Sequence, residues 1–509
     1  MLSPQADRNP TVPDKPSFRA AAVVDRQVII SSQRPDAPPS YALISLNGAW
    51  IAYDPEFRVS VLQDRSGREI GTTVGYVYSE FSKDFLPAGQ TILPVDIETP
   101  DDLETLVLSR ISGVFVLLTA ERFPARLYPD HAGAMSIVYS PDMHQAASSV
   151  ALLLDEAEYR ARFRADMHQA LVLHETSGGW IPGTLTAHQG VWRLLANHYL
   201  DLSTWSAPRF WPRIGDFATW RDFKTASTQA AEAIADFSNA VFRNFKTSAT
   251  LTAGFDTRLV VAGCRENIDH CTFFTVTAPG AEMDVDISQD IAARFGLPHR
   301  ILKTDEATPE QLAIWDRMAG DCMIEAPRRT HQTLRQMTES DVVLTGLYGE
   351  VGRCRYYRQD YLAINDSKID VRFVINRLTV PEHPDVVENL QLWLDELAGQ
   401  PNSVILDISL HELKLGGWAM GQRPMTSSVK FAFMPFTQRA VLDAFIGVAP
   451  VEKGTKALFW AIINHLWPEL SVFPINKYGD YRDYLVLWKK LTNPVRVRRY
   501  LRDRFAKKA

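Results

Sequence analysis

Between Gln27 and about Leu154, short runs of β-branched and aromatic residues alternate with turn residues. Gln27-Val-Ile-Ile-Ser31, Tyr41-Ala-Leu-Ile-Ser45, Gly113-Val-Phe-Val-Leu-Leu-Thr119, Ala125-Arg-Leu-Tyr128 and Met135-Ser-Ile-Val-Tyr139 are the clearest. Runs of this length and composition predict strands, and their number predicts two packed sheets with few helices. Ala157 to Leu173 has helical spacing, whereas Trp180-Ile-Pro-Gly183 and Trp205 to Pro212 are Pro-, Gly- and Trp-rich and predict loop and linker. After Phe217 the period lengthens. Trp220 to Thr247 predicts one long amphipathic helix with Phe237, Val241 and Phe245 on one face. Strands follow at Ala249–Thr252, Thr272–Thr277, His299–Leu302 and Asp341–Thr345. Between them lie helices at Phe255–Gly263 and Asp284–Phe295, the latter stopped by Gly296. This alternation predicts a mainly parallel sheet with its ligand at the carboxyl ends of the strands. From Glu388 onward the pattern is mostly helical, and no internal repeat or low-complexity tract interrupts the chain.

A chain of 509 residues exceeds one ordinary core and predicts two or three domains. With 46% apolar and 22% charged residues it has a globular composition. A net charge of −6 gives no overall attraction for nucleic acid or an anionic membrane, and no apolar run is long enough to span a bilayer. Met1 to Ser17 is polar and Pro-rich, unlike a secretory signal; residues 1–16 are expected to be a flexible segment. The four cysteines, Cys264, Cys271, Cys322 and Cys354, form no CxxC pair, which argues against zinc and a disulfide framework and fits the cytoplasm. His331 and His411 lack metal-ligand spacing, and Trp205 and Trp211 are expected to pack rather than stack on bases.

The candidate chemistry lies in Ala249-Thr-Leu-Thr-Ala-Gly-Phe-Asp-Thr-Arg258, where an apolar strand runs through small residues into a helix. Small residues let the backbone turn sharply and present successive amides, and the helix start adds positive potential. Together they make a nest suited to pyrophosphate, with Thr252 and Thr257 adding hydroxyls. Asp256 is out of place beside phosphate unless it binds Mg²⁺; otherwise it is a helix-capping residue. Val342-Val-Leu-Thr-Gly-Leu-Tyr-Gly-Glu350 is a second strand entering a Gly-flanked loop with a carboxylate. Asp256 and Glu350 could share one Mg²⁺, or Glu350 could simply be a surface carboxylate in a tight turn.

These segments resemble the asparagine synthetase family, which includes β-lactam synthetases and lasso-peptide cyclases. The family loop Ser-Gly-Gly-x-Asp-Ser is matched by Thr252, Ala253, Gly254, Phe255, Asp256 and Thr257. Its downstream pattern is echoed from Asp284 to His299, with Ser288 at the first Ala. The second loop, Ser/Thr-Gly-x-Gly-x-Asp, aligns on Thr345 to Glu350. The position after Thr-Gly, linked in the family to nucleophile activation, is Leu347, with Tyr348 beside it as a substitute catalytic residue. Met434-Pro-Phe436 and Trp467-Pro-Glu-Leu470 with Phe473-Pro-Ile-Asn-Lys477 resemble later motifs, making Lys477, with Lys456 as second candidate, the lysine that stabilises charge in the transition state. Gly113-Val-Phe115, Tyr128-Pro-Asp-His-Ala-Gly133 and Ile137-Val-Tyr139 are similar to elements of the family's glutaminase domain. That domain needs a cysteine after the initiator Met, and here residue 2 is Leu2.

The resemblance implies an α/β protein. A degenerate glutaminase-like (Ntn-hydrolase-like) α+β sandwich would occupy residues 17–205 and a parallel-sheet ATP-pyrophosphatase domain with a helical carboxy-terminal part residues 206–485. Residues 486–509 would be a basic helix or tail, a solvated helix or a handle for an anionic partner. ATP would be held by Thr252, Ala253, Gly254, Asp256, Thr257, Val276, Thr345 and Gly346, and Mg²⁺ by Asp256 and Glu350. The implied activity is ATP-dependent adenylation of a small-molecule or peptide carboxylate with transfer to an amine, without glutaminase activity of its own; the class also allows a homodimer. A non-catalytic ATP-binding protein and an intramolecular cyclase are the alternatives.

Overall fold

The computed structural model describes residues 25–174, 178–324, 326–484 and 488. The amino-terminal segment 1–16 lies outside them, as does the basic tail apart from Trp488. Two sheets are built from the residues before 202. The first runs edge to edge through Trp192–Arg193, Val138–Ser140, Gln145–Ala147, Val28–Ser31, Ala49–Tyr53 and Ala42–Leu46, all antiparallel. The second runs through Leu200–Asp201, Arg126–Pro129, Ile111–Thr119, Glu69–Ser79, Arg58–Gln63 and Gly89–Ile92. It is antiparallel except at its last pair.

Ile111–Thr119 shows why its sequence is a continuous apolar run rather than an alternating one. Val114, Val116 and Leu118 join Val28, Ile30 and Ile51 of the first sheet in the main core. The intervening Phe115 and Leu117 are buried on the opposite face against Leu103, Val107 and Leu108. A strand covered on both faces has no polar side to display. Its pairing with Glu69–Ser79 needs two glycines. Gly75 and Gly113 have φ of 131° and 128°, and a Cβ on either would lie 2.2 Å from a carbonyl oxygen of the facing strand.

The helix expected over 157–173 is instead two, Glu156–Arg162 and Ala165–Leu171. Phe163 between them is extended and forms an isolated bridge with His188, while the Arg164 amide donates to the Ala187 carbonyl at 2.8 Å. A tertiary backbone pairing overrides helical periodicity here. Trp180 and Trp205 are buried packing residues in the segments expected to be loop and linker.

Beyond residue 220 the alternation of strand and helix gives a five-stranded parallel sheet, so the protein is mixed α/β. Its edge-to-edge order is His299–Lys303, Cys271–Thr277, Thr247–Thr250, Val342–Leu344, Phe431–Phe433. The long helix is Phe223–Asn244, capped by Asp222, whose carboxylate accepts from the Thr225 amide. It ends three residues before the expected limit because Thr247 already belongs to a strand. That strand is Thr247–Thr250, two residues earlier than its apolar pattern indicates. Phe431–Phe433 lies inside the region expected to be helical. Among the described residues no helix is long and apolar enough to cross a membrane.

Residues on either side of 205 are joined by buried polar contacts. The Glu412 carboxylate, fully buried, accepts from Arg209 at 2.6 and 2.8 Å, Asn197 at 2.8 Å and the Trp393 indole at 2.7 Å. Arg439 donates to His131 Nδ1 at 2.9 Å and to Asn197 at 3.1 Å, and His411 meets the His131 carbonyl at 2.7 Å. The turn at 130–135 is itself held by Asp130, whose carboxylate accepts from the amides of Ala132, Ala134 and Met135.

Candidate functional site

The strands of the parallel sheet, in chain order, lie third, second, first, fourth, fifth. The direction of winding therefore reverses between Thr247–Thr250 and Val342–Leu344, and the crevice outside the carboxyl ends of those two strands is where such sheets bind ligands. Both Gly-containing loops singled out in the sequence leave these two strands.

The first loop turns at Leu251–Gly254 into the helix Phe255–Gly263, whose boundaries match the sequence expectation. Gly254 precedes the helix in an extended conformation, and no side chain caps the first turn. Two threonines hold the loop in shape. The Thr252 amide donates to Thr257 Oγ1 at 3.1 Å, their hydroxyls lie 2.8 Å apart, and the Gly254 amide donates to Thr252 Oγ1 at 3.1 Å. The Ala253 amide donates to the Asp284 carboxylate at 2.9 Å, so the loop already holds one anionic oxygen. Asp284 opens the downstream segment quoted above, which explains how that segment is tied to the loop. Phe255 anchors the helix start against Phe459 and Trp460.

The second loop packs on the first at Asp256. A Cβ on Gly346 would lie 2.8 Å from the Asp256 carbonyl carbon and 2.9 Å from its Cβ, and one on Gly349 would lie 2.5 Å from its Oδ1. Only glycine allows this approach. Gly346→Ala is therefore expected to push the loops apart and to destabilise the fold by about 1–3 kcal/mol, the cost of overpacking a tight contact. Urea unfolding measures it, and a change below about 0.5 kcal/mol, the range of neutral surface substitutions, would show that the contact is loose.

The capping alternative for Asp256 is not what forms. Its carboxylate leaves the helix and meets Arg353, with Oδ2 2.6 Å from Nη2. Glu350 lies 3.9 Å from the same guanidinium and 3.6 Å from Arg355 Nε. The two carboxylates expected to share Mg²⁺ thus face one another across an arginine. Asp256 Oδ1 is buried without a hydrogen-bond partner, and so is Arg353 Nε. Burial pushes Asp256 up to about 6, with Glu350 adding to the rise and Arg353 opposing it. Lys456 donates to the Arg353 carbonyl at 3.2 Å. Burial and the positive charge of Arg358 lower its pKa, and it lies within electrostatic reach of Asp256.

The remaining expected residues divide. Thr345 is held at the strand end by its amide, which donates to the Phe433 carbonyl at 3.0 Å, and Val276 is partly buried near the end of its strand against Phe274 and Leu302. Lys477 is exposed, and its neighbour Asn476 donates its amide to the Ala253 carbonyl at 3.0 Å, which sets the lysine beside the first loop. Arg258 explains that docking: fully buried, it donates to the carbonyls of Leu470, Phe473 and Pro474 at 3.1, 3.4 and 3.4 Å. Tyr348 is not brought into the group. It is fully buried at φ 74°, and its hydroxyl donates to the Ala132 carbonyl at 2.9 Å.

Arg353, Arg355 and Arg258 were not singled out from the sequence, although Arg353 and Arg355 directly follow the second glycine loop and Arg258 closes the first. No group of three or more His, Cys, Asp or Glu side chains suited to a metal occurs among the described residues. No protein-family model and no curated protein matches this chain.

Proposed function

We propose that the chain is an asparagine synthetase-like ligase that adenylates a carboxylate with ATP and passes the acyl group to an amine, without glutaminase activity of its own. The two sheets before residue 202 would form a degenerate Ntn-hydrolase-like sandwich and the parallel sheet an ATP-pyrophosphatase fold. The meeting of the two glycine loops at Asp256, at the point where the winding reverses, carries this reading. Backbone amides at a helix start, two threonine hydroxyls and the cations Arg353, Lys456 and Lys477 suit a polyphosphate chain.

Mg²⁺ fits the Asp256–Glu350 pair less well. A divalent ion needs carboxylate oxygens free to coordinate it, and here the Asp256 Oδ2 atom and Glu350 already share a guanidinium. A substrate carboxylate oxygen attacks the α-phosphorus of ATP and pyrophosphate leaves. An amine nitrogen then attacks the acyl carbon, AMP leaves, and the amine gives up a proton. Lys477 and the strand-end cations stabilise the charge gathering on pyrophosphate. The amine is ammonia, a small amine or one within the substrate; the last makes the enzyme a cyclase.

Carboxylate-dependent exchange of labelled pyrophosphate into ATP tests the reading, with AMP and ADP separated. Lys477→Ala is expected to lower exchange by about 10²–10³-fold, the effect of removing one group that stabilises the developing charge, and Asp256→Ala to lower it by releasing the Arg353 guanidinium from its partner. Exchange at the unsubstituted rate would refute those roles, and ADP as product would refute adenylation.

One observation favours a second reading. Leu347 is apolar and the Tyr348 hydroxyl is committed to Ala132, so the second loop offers no acid or base between Gly346 and Gly349. A nucleotide-binding protein without catalysis would bind ATP and release no AMP with any carboxylate.

A further inference from the structure

A site that uses two carboxylates to hold a divalent ion must keep them free of competing cations and hold net negative charge around them. The crevice between the two loops is arranged the other way. Arg353 Nη2 lies 2.6 Å from Asp256 and 3.9 Å from Glu350, and Arg355 takes the other side of Glu350 at 3.6 Å. The two carboxylates are thus matched by two guanidinium groups. Lys456, which acts electrostatically on Asp256, Arg353 and Arg358, adds positive charge beyond that match.

Arg353 is also mounted rigidly. A Cβ on the preceding Gly352 would lie 2.9 Å from the Phe459 ring and 3.0 Å from that of Phe445. On the other side Cys354 sits at φ 51° and donates its thiol to the Pro450 carbonyl at 3.5 Å. Lys456 holds the carbonyl of residue 353 itself. With its backbone fixed at three points, the side chain, 14% exposed, keeps one face toward Asp256. Its Nε is nonetheless buried without an acceptor. A guanidinium N–H left unpaired in a buried place carries a desolvation cost that an anionic oxygen would remove.

We propose that Arg353 is a built-in cation of this site: it stands between Asp256 and Glu350 in place of a divalent ion and binds the polyphosphate chain of the nucleotide directly through its unpaired N–H. This rests on reading the crevice as a polyphosphate site and deepens that reading in one respect. Pyrophosphate binding should need no metal held by the protein.

Calorimetric titration of the full-length chain with sodium pyrophosphate, once in EDTA and once in excess magnesium, separates the possibilities. The expected result is an affinity in EDTA within about threefold of that in magnesium, and a loss of about tenfold or more in EDTA for Arg353→Gln, the scale of one charge-assisted hydrogen bond. Binding that requires magnesium in the unsubstituted protein would overturn the built-in cation while leaving the polyphosphate site standing. Wild-type affinity of Arg353→Gln in EDTA would overturn it as well. No binding of pyrophosphate in either solution would remove the polyphosphate site itself, and the proposal with it. The comparison of the two solutions uses the unsubstituted chain, so it holds even where the variant fails to fold.

Discussion

Glu412→Ala is expected to destabilise the protein by about 3–5 kcal/mol, because it strands a buried arginine. Glu412 has no solvent exposure, and its two oxygens accept four hydrogen bonds, two of them from Arg209. Arg209 is nearly as buried, at 7% side-chain exposure, and its remaining carboxylate partner is Glu396, 3.2 Å away and 40% exposed. Removing Glu412 also leaves the Asn197 amide and the Trp393 indole N–H without their acceptor. Because Asn197 and Arg209 precede the parallel sheet and Trp393 and Glu412 follow its first four strands, the loss falls on the contact between them. Urea unfolding followed by tryptophan fluorescence should show a lower midpoint. A shift below about 1 kcal/mol would mean that the carboxylate is dispensable and that water replaces it.

Asp407→Ala is expected to cost a similar amount, about 3–5 kcal/mol, at a second buried pair. Lys453 has no side-chain exposure and Asp407 1%, with Nζ 2.6 Å from Oδ2. The Tyr357 hydroxyl donates to the same oxygen at 2.8 Å. Without the carboxylate, the Lys453 ammonium keeps only the Ile446 carbonyl at 3.0 Å. The combined replacement Asp407→Leu with Lys453→Met should recover most of the loss, since an apolar pair needs no desolvation of charge. Equal destabilisation by the single and double variants in urea unfolding would show that shape rather than unpaired charge sets the cost.

What could be read from the chain beforehand is local in origin. The helix Phe255–Gly263 follows from small residues giving way to an apolar run, and the stop at Gly296 follows from a left-handed residue, found at φ 65°. The parallel direction of the strands follows from alternating periods, and the two glycine loops from composition, whereas the strand order is set by tertiary pairing. What stayed hidden depends on residues distant in sequence. Phe163 breaks a helix because it bridges His188, and Phe431–Phe433 is a strand because Val342–Leu344 offers an open edge. Arg353 meets Asp256 across 97 positions, a pairing that no spacing rule encodes. Tyr348 has the residue type of an acid–base group, and only its burial against Ala132 shows where its proton is directed.

That last contact has a wider implication. The second glycine loop takes its posture from the phenol of Tyr348, which leans on a turn contributed by residues 130–135, with His411 leaning on the same turn one carbonyl earlier. The amino-terminal half thus has a structural part in the second loop. Here it is a mould: without it a tyrosine, a histidine and an arginine face water where they now face a shaped surface, and the left-handed residue between the two glycines loses the grip that keeps it there. The two sheets before residue 202 thereby shape the loop that leaves the fourth strand of the parallel sheet.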